Sequence, residues 1–172
     1  MNDDRLKEAL SLLRRGDAAA FEEIYAELSA PLFTVILRIT RDRELSEDLL
    51  QEVFLKLYRS PPGPDIKKPR AYLFQSARNL ALDELRRRTD TLDLDQLPDL
   101  PQPEEDTALR LDLERAFAAL AQEERELVVL HLNGGLKFRE LARITGTSLG
   151  TVLWRYRRAI EKLRALLNGG SL

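Results

Sequence analysis

Between Ser148 and Arg158 the chain sets two hydroxyls, an indole and two guanidinium groups: Ser148, Thr151, Trp154, Arg155 and Arg158. On a helix, Thr151, Trp154, Arg155 and Arg158 share one side, and Val152, Tyr156, Ile160 and Leu163 form an apolar stripe away from it. A helix packed on one side and carrying such groups on the other can enter a major groove, where arginine bonds guanine edges or phosphates. The residue types leave both contacts open. Trp154 suits a sugar or a thymine methyl, and equally suits packing on its own domain. Upstream, Phe138, Leu141, Ala142 and Ile144 give a short helix one apolar side. Gly146 supplies the turn, and Ser148 has the hydroxyl of an N-cap. The plain alternative is a helical hairpin with a solvated basic face.

Two further constellations stand out. Asp48 and Glu52 lie one helical turn apart with Gln51 beside them. Paired carboxylates can perform acid–base work, but an exposed helix gives no cause for a raised pKa. Cysteine is absent, and the single histidine, His131, reads as an ordinary helix residue. Neither a metal site, a cofactor, a small-molecule substrate nor a catalytic role is therefore expected. The other constellation is cationic: Lys67, Lys68, Arg70, Arg78, Arg86, Arg87 and Arg88, preceded by Ser60-Pro61-Pro62-Gly63-Pro64-Asp65. A proline-stiffened loop and a basic helix can hold single-stranded nucleic acid by phosphate contacts and by pocketing bases. The plain alternative for the last three arginines is a helix C-terminus stabilised by its macrodipole.

These side chains need elements to hold them. Apolar residues recur at helical spacing through Leu6–Leu13, Phe21–Leu28, Leu32–Ile39, Leu49–Leu57 and Leu73–Leu85, then through Leu109–Leu120 and Leu127–Leu132. Pro31 is expected to interrupt or restart the second of these helices, and Pro69 to open another. In the latter, Tyr72 is expected to pack inward with Leu73 and Phe74. No strand pattern occurs. Net charge runs −3 over residues 1–60, +4 over 61–88, −9 over 89–126 and +6 over 127–172, a segregation hidden by the total of −2. Two basic blocks suggest two places of polyanion contact. Residues 89–106, proline-rich and acidic, read as a flexible linker, with Leu92, Leu94, Leu97 and Leu100 available to dock on a partner. The expected fold is all-α: a helical domain over 1–88, the linker 89–106, and a second domain over 107–172 containing the helix-turn-helix. No long apolar run follows Met1-Asn2-Asp3-Asp4-Arg5, so a cytoplasmic protein without membrane insertion is expected.

The motifs also carry a resemblance. Ser46-Glu47-Asp48-Leu49-Leu50-Gln51-Glu52-Val53-Phe54 resembles the D-x-x-Q-E-x-F signature of extracytoplasmic-function (ECF) sigma factors. Ala71-Tyr72-Leu73-Phe74-Gln75-Ser76-Ala77-Arg78-Asn79-Leu80-Ala81-Leu82-Asp83-Glu84-Leu85-Arg86-Arg87-Arg88 is similar to their W-L-x-x-I-A-R-N-x-x-I-D-x-x-R-R. Gly150-Thr151-Val152, with Arg155 and Arg158-Ala159, is similar to their G-T-V-x-x-R-x-x-R-A. The three occur in the family's order and spacing. The resemblance implies a promoter-specificity subunit whose partners are bacterial core RNA polymerase and promoter DNA, with an anti-sigma factor open as a third.

It also implies roles. Asp48, Gln51 and Glu52, with apolar help from Leu49 or Leu50, would dock on the polymerase's coiled-coil clamp helices. Lys67, Lys68, Arg70, Tyr72, Arg78, Asn79, Arg86 and Arg87 would serve the −10 element and its melting. Ser148, Thr151, Trp154, Arg155 and Arg158 would serve the −35 element. The family's usual tryptophan is Tyr72 here, and its frequent Lys-Ser after Gly-Thr-Val is Leu153-Trp154. The second departure removes a phosphate-binding charge, so the upstream bases cannot be copied from relatives. A stand-alone helix-turn-helix regulator would leave the first domain without a role. A sigma mimic that only titrates an anti-sigma factor should have lost its basic residues, and this chain keeps them.

Overall fold

In a computed structural model the chain divides into two compact units, Met1–Asp99 and Leu100–Leu172. The structure describes residues 1–91 and 108–168, with side chains described for 1–88 and 112–168. Among these residues there are eight helices and no strand. Most of the expected linker, with Leu92, Leu94, Leu97 and Leu100, lies outside the described residues.

The first unit holds α1 (Asp3–Arg14), α2 (Ala18–Thr40), α3 (Arg43–Arg59) and α4 (Pro69–Thr91). Ile24, Leu28, Leu32 and Ile36, four residues apart along α2, are fully buried. They make α2 the central helix, packed on α1, α3 and α4. The expected break at Pro31 does not occur, and α2 runs on through it. An internal proline costs about 3 kcal/mol. Each buried leucine or isoleucine on either side returns about 1.5–3 kcal/mol, so the continuous stripe prevails.

The corner between α2 and α3 is fixed by polar bonds. Arg41 takes a left-handed conformation (φ 57°) that ends α2. Asp42 caps α3, accepting from the Leu45 N–H at 3.0 Å. Ser46 is buried, its hydroxyl bonded to Thr40 at 2.7 Å and donating to the Asp42 carbonyl at 2.5 Å. Arg88 of α4 reaches the same Asp42 carboxylate at 2.9 Å. This network sets which side of α3 faces outward.

The second unit holds α5 (Ala108–Ala118), α6 (Gln122–Leu132), α7 (Phe138–Thr145) and α8 (Leu149–Asn168). Seven consecutive residues of α6, Glu124 to Leu130, are buried, and α8 packs against α5, α6 and α7. Arg125 closes the end of α5 by donating to the carbonyls of Phe117 (3.0 Å) and Leu120 (2.8 Å). Along α8 the buried positions are Val152, Ala159 and Leu163. Tyr156 and Ile160, expected in that stripe, are only partly buried at its edge.

Candidate polymerase-docking and nucleic-acid surfaces

On α3 the structure separates the residues expected to act together. Asp48 and Gln51 are exposed, and Glu52 is half-buried and paired with Lys56 at 2.8 Å. Leu49 is only 5% exposed. The expectation that it forms a docking contact is therefore corrected: its place in the stripe with Val53 and Leu57 turns it into the core. Leu55, 51% exposed, takes the outer position. It stands seven residues after Asp48, two turns along the same face, a spacing that could have revealed it.

The basic residues of α4 and its approach also divide. Lys67 and Asn79 are exposed, and Tyr72 is 44% exposed rather than packed inward. Tyr72, Asn79 and Arg86 recur every seven residues and form one exposed stripe. Arg86 pairs with Asp83 at 3.3 Å, and Arg87 pairs with Glu84. Exposed i,i+3 pairs of this kind are worth only about 0.2–0.5 kcal/mol, so a phosphate can displace them. Arg70 is different. It is half-buried over the Phe74 ring (5.2 Å), donates to the Met1 carbonyl at 3.0 Å and offers its backbone N–H to Asp3 at 3.1 Å. Burial lowers its pKa, against the raising effect of Asp3 and Glu27. Lys68 reaches Asp3 at 3.4 Å. Arg70 and Lys68 thus tie α4 to α1, and Arg78 is half-buried. Beside the stripe lies a cleft of about 260 Å³, lined by Val53, Lys56, Leu57, Ser60, Tyr72, Leu73, Ser76 and Leu80.

In the second unit, Gly146 (φ 65°) ends α7 in the left-handed conformation that only glycine adopts without strain. Ser148 caps α8, its hydroxyl accepting from the Thr151 N–H at 3.1 Å and lying 2.9 Å from the Thr151 hydroxyl. His131 stacks on Phe138 (4.4 Å) with Nδ1 2.7 Å from the Leu136 carbonyl, so it braces the loop before α7. On α8, Trp154 is 58% exposed and Arg155 is half-buried. No hydrogen bond or ion pair engages the Arg155 guanidinium among the described residues. Arg158 is engaged on two sides: its guanidinium lies 5.2 Å from the Trp154 ring centre, and its Nε lies 3.5 Å from Glu124.

Glu124 is not singled out by sequence, where one acid in the charged run Glu123-Glu124-Arg125-Glu126 resembles any first-turn glutamate. It is 5% exposed, accepts from the Ala121 N–H at 3.1 Å, and receives Lys162 at 2.7 and 2.9 Å. Burial pushes its carboxyl up, but the bonds from Lys162 and Ala121 and the charges of Lys162 and Arg158 outweigh this and hold it below its ordinary value. A depressed carboxyl pKa stabilises the fold above the ordinary carboxylate range, and that stability is lost as the pH falls through the folded value. Glu124→Gln should therefore cost about 1–3 kcal/mol at neutral pH. The gap from wild type should close on acidification, as read by urea unfolding from pH 7 to pH 3. A gap that stays constant would exclude the charge.

Residues 24–91 match the family described as sigma-70 region 2, and residues 110–163 match sigma-70 region 4. The chain belongs to the sigma-70 family. Within it the sigma factor is of the ECF type. It is 31% identical to the ECF RNA polymerase sigma factor SigL of Mycobacterium tuberculosis, over 88% of this chain and 90% of that one. It is 33% identical to the RNA polymerase sigma factor CarQ of Myxococcus xanthus, over 90% and 92% of the two chains. The fold is shared with the sigma factor RpoE in complex with the anti-sigma factor NepR from Bartonella quintana (TM-score 0.67, 22% identity, 86% of this chain and 96% of that one). It is shared also with CnrH in complex with the cytosolic domain of CnrY (TM-score 0.70, 24% identity, 97% and 99%). The ECF sigma factor is accordingly a transcription-initiation subunit, without catalysis of its own, whose partners are core RNA polymerase and promoter DNA. Among the described residues no helix is long and apolar enough to cross a membrane.

Proposed function

We propose a division of this sigma factor's work among its three surfaces. The outer face of α3, with Asp48, Gln51 and Glu52 around Leu55, docks on core polymerase. Residues 1–88 also serve the −10 element: Tyr72, Asn79 and Arg86 border the melted strand, with Lys67, Lys68, Arg78 and Arg87 adding cationic pull and Arg70 holding α4 in place. The cleft beside Tyr72 supports this reading. At about 260 Å³ it falls below the ~300 Å³ at which drug-sized sites begin, and it suits a single base. Residues 107–172 serve the −35 element through Thr151, Trp154, Arg155 and Arg158, on a helix started by Ser148, and residues 89–106 connect the two. The protein works in the cytoplasm. An anti-sigma factor is a further partner, as NepR is for RpoE.

One observation carries the −35 assignment: Arg155 presents a guanidinium unengaged by the described residues on the face of α8 that also exposes Trp154. In vitro transcription with core polymerase over a randomised promoter library tests the whole scheme, with the expected result that the sigma factor selects paired −35 and −10 elements. Tight specific binding to promoter duplex without polymerase would overturn it. The docking face is tested by reversing charge at Asp48 and Glu52 together. Because such charges set orientation and encounter rate, the double variant should compete for core about tenfold less well than wild type. Undiminished competition would remove α3 from the docking surface.

A further inference from the structure

Trp154 stands where the family's pattern often has serine, and its surroundings on α8 set it apart from a free surface ring. A largely exposed indole is free to adopt several rotamers, which a base contact must then restrict. Here one face of the ring is already covered. Arg158, one turn further on, lies over it at 5.2 Å, within the range of a cation–π contact. The arginine is itself held, because its Nε faces Glu124, whose carboxylate is buried in α6 and anchored by Ala121 and Lys162. A chain of contacts thus runs from the core of the second unit through Glu124 and Arg158 to an exposed apolar ring.

Arg155 shows the contrast. It has no partner among the described residues and keeps all of its donors for DNA, whereas Arg158 has its Nε and one face committed within the protein. The residues that enter a groove most deeply are those of the first turns of a recognition helix. Trp154 belongs to the second turn of α8, and Arg158 follows a turn behind. Thymine offers the one apolar group on a major-groove edge, its 5-methyl, and an exposed flat ring held in place is a matching surface.

We propose that Trp154 is a specificity-determining residue that reads a thymine methyl in the upstream promoter element, and that Arg158 is a positioning residue that holds its ring, steadied by Glu124. The inference rests on the assignment of α8 to the −35 element. It changes the part played by Arg158, from a contact with DNA to a support for its neighbour.

The test uses holoenzyme and a promoter selected by the wild-type protein, with each thymine of the upstream element replaced singly by deoxyuridine, which lacks only the methyl. At one position the wild type should initiate about 5-fold less from the deoxyuridine template, the effect of one good apolar contact. Trp154→Ala should make the two templates equal. Arg158→Ala should shrink the ratio toward one, and Arg158→Lys, which keeps a cation over the ring, should restore much of it. Glu124→Gln should reduce it partway, and the arginine variants decide the matter if that protein folds poorly. If Arg158 merely binds a phosphate, Arg158→Ala will weaken both templates alike, flatten the salt dependence by about one unit of slope and leave the ratio intact, which overturns the proposal. So does a wild type indifferent to every methyl, or a Trp154→Ala that still discriminates. The assignment of α8 is read separately, from whether Arg155→Ala abolishes use of the same promoter.

Discussion

Arg155→Ala is expected to reduce transcription from the cognate promoter by about ten- to a hundredfold while affinity for core polymerase stays at the wild-type value. A good bidentate arginine–guanine contact discriminates by about 1–3 kcal/mol, and each 1.4 kcal/mol is tenfold. The structure gives Arg155 the means: its guanidinium is unengaged by the described residues, and Ser148 fixes the start of its helix. No ion pair among the described residues is lost when it is removed, so the fold should be little affected. The decisive measurement pairs initial transcription rates on library-selected promoters with competition for core against a second sigma factor. If transcription is unchanged, Arg155 does not read the element. If instead every promoter is weakened equally and the salt slope falls by about one, Arg155 is a phosphate contact that positions without specifying.

The second large effect belongs to the other unit. Phe74 is fully buried on α4, beneath the guanidinium of Arg70. Phe74→Ala removes a ring from the packing between α4 and its neighbours and should cost about 3–5 kcal/mol. A domain of ordinary stability has about 5–15 kcal/mol in all, so the first unit would lose a large share of its stability. Phe74→Leu, closer in volume, should cost less than about 1.5 kcal/mol. Urea denaturation followed by far-ultraviolet circular dichroism measures both. A loss below about 1 kcal/mol for the alanine variant would contradict the packing. Because the Tyr72–Asn79–Arg86 stripe rides on the same helix, −10 use should fall together with stability in the alanine variant and survive in the leucine one.

The helices themselves were legible in the sequence because each is a local periodic pattern. The four-residue repeat of Ile24, Leu28, Leu32 and Ile36 and the alternation of Gly146 with Ser148 require only neighbouring residues to interpret. Pro31 was misleading for the same reason. A local rule records the lost hydrogen bond, whereas the burial that overrides it comes from α1, α3 and α4 together. Leu49 and Leu55 are alike in type, and only the phase of α3, set by the Thr40–Asp42–Ser46 corner and by Arg88, sends one inward and one outward.

By itself, then, the sequence determined an all-helical chain, its charge segregation, the helix-turn-helix and the family signatures, since all of these are written in residues close along the chain. The tertiary structure alone decided which charges are left over for partners. Arg88 meets Asp42 across 46 positions, Lys162 meets Glu124 across 38, and Arg70 is drawn to the first residues of the chain. Spacing along one helix fixes where a charge points, but whether an opposite charge waits there depends on an element folded in from far away. Arg155 and Arg158 look equivalent as letters and differ as side chains for that reason.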